Sequence, residues 1–335
     1  MKTRIGLAVL ALLAAGCSES ENMGTPETPV NAKAIRIGQS VQGTTRAAVV
    51  EGSDVTATVL MCDGNTADWT GFVAKKANSI TSGTLSDRAN VSTASFKAGA
   101  NAAVTLNPTL YYDNTNNPST TVKSHLVAVA PDGTLASSGT AVTMKNVDGQ
   151  QDVMYAEAVD AGSESSPISP LNLTFDHLTT QLNFQVKLTE AAGTGEWDNK
   201  AVLVKGISVQ NAQLPQAVDA ADGSVTWTAA SSLNVPGISN IALNATEAKT
   251  GNPVMIYAAG SVMVDVVLTV GGTDLSFVNI PIKNGDSDLT TVKGQSHLIT
   301  LNVKEPEAVT GAASIVATAT VNKWVEGTPG SADLD

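Results

Sequence analysis

Cysteine, histidine, aromatic rings and charge are all scarce in this 335-residue chain, which holds two Cys and three His, with 4% aromatic and 15% charged residues. Each shortage closes off a class of function. Two thiols, Cys17 and Cys62, cannot build a disulfide framework. His125, His177 and His297 lie far apart with no second His or Cys at ligand spacing, so each reads as a strand or turn residue rather than a zinc ligand. Nineteen Lys and Arg stand against 31 Asp and Glu, a net charge of −12. Nucleic acid requires a basic footprint, and none is present.

Catalytic motifs are missing too. There is no GxSxG elbow, no P-loop and no dinucleotide fingerprint, and Cys62 lacks the surroundings of a catalytic thiol; it reads as a small buried hydrophobe. "NGDSDLT", with Asp286 and Asp288, and "DAADG", Asp219 to Gly223, are the best cation candidates. Neither has the downstream bidentate Glu of a calcium loop, so both read as solvated turns. The shortage of aromatics also weighs against a sugar-cleaving cleft. No enzyme activity, catalytic residue, metal or cofactor is expected.

What is present starts at the amino end. Residues 1–16, "MKTRIGLAVLALLAAG", put two basic residues before a short apolar run, the pattern of a secretory signal and too short to span a membrane. "LLAAGC" resembles the bacterial lipobox, which makes Cys17 the expected lipidation site and tethers the chain without a spanning helix. Residues after Cys17, "SESENMGTPETPVNAK", have no apolar period and read as a tether. Glu19 and Glu21 resemble the acidic export tag of surface lipoproteins.

Beyond the tether, apolar residues alternate at period two, as in "LNFQVKL" (Leu182, Phe184, Val186, Leu188), "VMVDVVLTV" (Val262 to Val270) and "HLITLNV" (Ile299, Leu301, Val303). Turn signals such as "PDG", "VGG" and "NGD" separate them. Many short strands with no helical period predict an all-β chain of antiparallel β-sandwiches. The Ser- and Pro-rich "AGSESSPISP", Ala161 to Pro170, is the expected boundary. It divides the body into 47–169 and 170–335, after the signal at 1–16 and a leading segment at 17–46.

"SVQGTTRAAVVEG" holds one basic residue, Arg46. Alone, it reads either as a solvated side chain or as the target of a trypsin-like protease. Three other stretches bear on it. "LTFDHLTTQLNFQVKL" places Phe175 and His177 before an alternating strand; "GQQDVMYAEAV" precedes that boundary; "ASIVATATVNKWVEGTPGSADLD" ends the chain with a small-residue strand, Trp324 and an acidic tail. In this order they resemble the fimbrillin family of Bacteroidales, the lipoprotein pilins, although His297 stands where that family usually has an aromatic.

The resemblance implies two transthyretin-like β-sandwich domains and a surface fimbrium serving adhesion. It also implies an Arg-specific protease cutting between Arg46 and Ala47, with Arg36 as a rival site. Loss of the leading strand, whose Ile35, Ile37 and Val41 share a face, would leave a gap for a strand of a neighbouring subunit. Ile315, Ala317, Ala319 and Val321, on one face of the tail strand, are the candidate donor row. Expected partners are other pilin subunits, the protease, a host or bacterial surface receptor, and the membrane through the precursor's lipid. Alternatives are an anchor or tip subunit, or a surface glycan-binding lipoprotein using Trp69, Trp197, Trp227, Trp324, Tyr111 or Tyr112.

Overall fold

The computed structural model describes residues 32–41, 52–98, 104–114, 122–188, 197, 200–243, 248–306 and 313–323. Every helix or strand among them is a strand. The first large sheet contains β1 (Gly38–Val41), β2 (Asp54–Asp63), β3 (Val91–Lys97), β4 (Thr105–Asn107), β5 (Ser124–Ala130), β6 (Met154–Asp160) and β7 (Asn172–His177). Their spatial order is β1-β7-β6-β5-β2-β3-β4.

Both faces of this sheet are covered. Val55, Ala57, Val59 and Met61 of β2 join Leu126 and Ala128 of β5 and Leu173 and Phe175 of β7 in one core. Leu60, Val127 and Val129 point the opposite way into a second core. All seven residues of β5 are therefore buried, because successive side chains of a strand leave on opposite faces. A four-stranded sheet caps the second core, and its two halves come from distant parts of the chain. Thr134–Leu135 and Ala141–Thr143 pair with Pro215–Asp219 and Val225–Trp227, with Val218 opposite Val142. Gly223 lets that hairpin lie on Tyr155: its φ is +72°, and a Cβ there would come within 2.6 Å of the ring.

The second large sheet contains β8 (Thr180–Leu188), β9 (Val202–Ala212), β10 (Ala248–Ile256), β11 (Met263–Val270), β12 (Thr273–Asn284), β13 (Gln295–Lys304) and β14 (Ser314–Lys323). Its order, β9-β11-β12-β14-β13-β8-β10, continues past β9 with Ser231–Asn234. One strand folds it into a sandwich. The amino-terminal part of β12 pairs with β11, the register then shifts, Asn279 adopts φ 56°, and Ile282 and Lys283 pair with β14. The expected alternation appears here: Leu182, Phe184 and Val186, Val264 to Val270, and Ile299, Leu301 and Val303 all enter one core.

Two features depart from the sequence expectation. The sandwiches are mainly antiparallel, but β1–β7, β8–β13 and β12–β14 run parallel; alternation reports a buried face and is silent on direction. The Ser- and Pro-rich stretch is a loop within the first sheet, with the Ile168 N–H donating to Ala161 O across it and the Ala161 N–H to Ser124 O of β5. The chain crosses to the second sheet at Leu178 and Thr179, after β7, so residues 170–177 belong with the first sheet.

His297 lies on the core-facing row of β13 with Ile299 and is fully buried. Neither ring nitrogen has a hydrogen-bond partner among the described residues, and burial holds its pKa below the usual imidazole value. The folded chain therefore keeps this ring neutral, while the unfolded chain protonates it near pH 6.5. Stability from this site is full above about pH 6.5 and falls as the pH drops towards the folded pKa, by up to about 1.4 kcal/mol per pH unit. We expect melting temperatures that hold from pH 8 to 7 and fall below pH 6.5. His297→Phe should flatten that slope, and an identical slope in the variant would refute the assignment.

Candidate functional site

The segment Lys33–Val41 closes the first sheet. "KAIRIGQSV" alternates, and Ile35 and Ile37 are only 2% and 3% exposed, packed in the first core with Leu110, Leu173 and Phe175. On one side β1 pairs with β7, Gly38 opposite Asn172 and Val41 opposite Phe175, and the Gly38 N–H donates to Leu171 O at 2.8 Å. On the other side the segment meets residues 104–112. Ile35 N–H donates to Leu110 O at 2.8 Å, Tyr112 N–H to Lys33 O at 3.0 Å, and Val104 N–H to Ile37 O at 3.3 Å. The Gln39 side-chain amide adds a bond to Lys97 O at 2.7 Å.

One short segment thus satisfies backbone groups on both margins of an otherwise open sheet. Unpaired strand edges attract other strands, and burying two Ile side chains contributes roughly 1.5–3 kcal/mol each. In the same core, Phe96 of β3 and Phe175 of β7 stack at 5.4 Å, so rings from strands near opposite ends of the sheet order meet. The second margin is clamped from outside. Arg88 donates to Tyr111 O at 3.0 Å and pairs with Asp63 at 2.6 Å and Asp113 at 3.6 Å, while the buried Tyr112 hydroxyl donates to Ala161 O. This clamp had no signal in the sequence, since its members are scattered from 63 to 161.

Arg36 is exposed between Ile35 and Ile37, but its neighbours on both sides are hydrogen-bonded into the margins. A protease that binds substrate as an extended strand finds that backbone already engaged. Cys17, Arg46 and Ala47 lie outside the described residues. The connection between Val41 and Asp54 carries Arg46, so a cut there would leave β1 held to the body by non-covalent contacts alone.

The tail strand β14 sits in its own sandwich. It pairs with β13 over Ser314–Lys323 and touches β12 at Ala317 and Thr318. Ala317 is 1% exposed, and Ile315 and Ala319 are half-buried against the core of the second large sheet, whereas Val316 faces out at 57%. The candidate donor row is thus one inward face as far as Ala319; the side chain of Val321 lies outside the described residues.

The remaining candidates take structural positions. His177 donates through Nδ1 to buried Asp152 at 2.9 Å, and His125 contacts Gly64 O at 3.2 Å. Asp288 pairs with Lys283. Asp219 accepts from Thr140 and from the Ala221 N–H, holding its turn. No group of three or more His, Cys, Asp or Glu among the described residues is placed to hold a metal. Cys62 is half-buried beside a cavity of about 400 Å³, and burial pushes its thiol pKa up, opposite to the activation a nucleophile needs. Among the aromatic platforms, Tyr111, Tyr112 and Trp197 are buried and unable to stack a ligand.

Comparison with known proteins places this geometry. The fimbrillin-like family model matches residues 45–324. The chain belongs to the fimbrillin-like family. No curated protein matches it. Among solved structures, a candidate cell adhesion protein of Bacteroides uniformis shares 17% identity at a TM-score of 0.51, covering 87% of this chain and 99% of that one. The tip fimbrial protein of Porphyromonas gingivalis, truncated at its carboxy end, shares 11% at a TM-score of 0.40, with 86% and 100% covered. The fimbrillin-like family is one of fimbrial structural proteins rather than enzymes.

If the closing segment of this fimbrillin-like chain is a seal, its two Ile should carry stability and its Arg should not. Ile35→Ala and Ile37→Ala are each expected to cost about 2–5 kcal/mol, and Arg36→Ala to stay within about 0.5 kcal/mol. Urea unfolding of the full chain measures all three; equal effects at the three positions would overturn the sealing role.

Proposed function

We propose that this chain is a structural subunit of a surface fimbrium, exported as a lipoprotein precursor acylated at Cys17 and matured by cleavage between Arg46 and Ala47. One observation carries the reading: Lys33–Val41 is bonded to both margins of the first sheet while its covalent link to the body runs through the stretch holding Arg46. Cleavage converts that segment from a covalent part of the subunit into a dissociable one. A strand of a neighbouring subunit with a matching alternating row then fills the seam.

The tail supplies such a row in Ile315, Ala317, Ala319 and Val321. Leaving its own sandwich breaks a ladder to β13 and the short pairing with β12 at Ala317 and Thr318, and entering a neighbour's seam makes ladders to two margins. Because donor and acceptor surfaces differ, the contact is head-to-tail and builds an open filament. The mature subunit runs from Ala47 with both sandwiches, at the outer membrane and then in the fimbrium, and adhesion follows from display of many copies. An anchor or tip subunit has the same fold, and cleavage distinguishes it.

Amino-terminal sequencing with intact mass on protein recovered from the cell surface is the direct test. A start at Ala47 without lipid is expected; acylated Cys17 in all the material would mean an anchor and overturn the shaft reading. The donor is tested separately by Thr300→Cys with Thr318→Cys, which face each other across β13 and β14. The oxidised pair should lock the tail at home and leave processed protein monomeric, with polymers returning on reduction. Polymers that form equally under both conditions would eliminate the tail as donor.

A further inference from the structure

A second site lies in the second large sheet, where the end of β9 meets the connection from β10 to β11. Tyr257 is 43% exposed, the one exposed aromatic among the described residues. It forms one wall of a cavity of about 240 Å³. Its position is fixed twice: the backbone N–H donates to Gln213 O at 2.9 Å, and its ring meets half-buried Trp227 at 4.9 Å with the planes at 67°. Such tilted ring pairs are favourable packing arrangements. The Trp227 strand is anchored in turn, since Gln213 Nε2 donates to Thr228 O and Thr228 N–H to Leu214 O.

The rest of the lining is uncharged, part polar and part apolar. Gln210, Asn211, Gln213 and Ser261 surround an apolar floor that includes Ile256 and Val262, with no Lys, Arg, Asp or Glu in the wall. Gln210 Nε2 is committed to Asp265 at 2.6 Å. Asn211 and Ser261 are exposed at its rim. Asn211 is also held in the left-handed region at φ 54°. The cavity therefore offers one rigid ring face, one amide that both donates and accepts, and one hydroxyl.

We propose that this cavity binds a single neutral pyranose at the end of a glycan. A pyranose has an apolar C–H face for Tyr257 and a rim of hydroxyls for Asn211 and Ser261, and no ionic partner is needed. The cavity is below the roughly 300 Å³ at which drug-sized sites begin, which limits the occupant to one ring. With no cation in the wall and a net charge of −12 on the chain, phosphorylated and sialylated termini are disfavoured. The inference is independent of polymerisation: it concerns the isolated subunit and names the chemical class that a fimbrium of such subunits would hold.

The test is the soluble chain beginning at Ser18, which keeps the Lys33–Val41 seal, applied to printed oligosaccharides ending in galactose, glucose, mannose, N-acetylglucosamine or sialic acid. Binding to at least one neutral terminus is expected, with competition by the matching free methyl glycoside. Tyr257→Ala and Asn211→Ala, both at exposed positions, should each weaken that binding at least tenfold while the melting temperature stays constant. Ser261→Ala gives a third reading should Tyr257→Ala unfold. Failure of every neutral glycan, selective binding of sialylated ones, or binding that survives the folded variants would each overturn the proposal.

Discussion

An open β-sheet must do something with the N–H and C=O groups along its margins, and this constraint organises the first half of the molecule. The margins are β7 on one side and residues 104–112 on the other, and Lys33–Val41 bonds to both. The core beneath depends on that closure. Ile35 and Ile37 share one core with Phe96 and Phe175, and both stacked rings are buried. The Arg88 and Tyr112 clamps hold the second margin where the closing segment needs it.

The second sandwich meets the same constraint differently. Its corner is turned inside one strand, β12, and β14 then fills the space between β12 and β13. Lys33–Val41 thus closes the first core, and Ser314–Lys323 closes the core of the second large sheet. The two halves are meanwhile tied together: the Pro215–Trp227 hairpin completes the small sheet over the first half.

The strands and their inward faces were legible from period-two alternation, because a half-buried strand displays its environment every second residue. Ile35 with Ile37 and Ile315 with Ala317 were found in this way, and the structure buries or half-buries all four. Features set by distant contacts were not legible. Parallel pairing leaves no local trace, and the hairpin at 215–227 looks like any other until Val218 meets Val142. The Ser- and Pro-rich stretch gave a loop signal that composition cannot separate from a boundary signal. Tyr111 and Tyr257 are both aromatic residues in strand-like surroundings, yet one is buried in the clamp and the other borders an open cavity.

The two seals are not interchangeable side chain for side chain, and that bears on any exchange between them. Lys33–Val41 inserts two Ile in succession, whereas the tail presents Ile315 and then two alanines on the same face. Strand pairing tolerates shifts by two residues without changing which face is buried, so backbone bonding alone leaves several registers open. Side-chain volume narrows the choice. An alanine in a site shaped by Ile leaves a cavity, and cavities of that kind cost roughly 2–5 kcal/mol each. A tail entering such a seam is therefore driven to the register that brings Ile315 into an Ile site. The backbone supplies the adhesion between strands, and the spacing of the few large side chains decides where the strand stops.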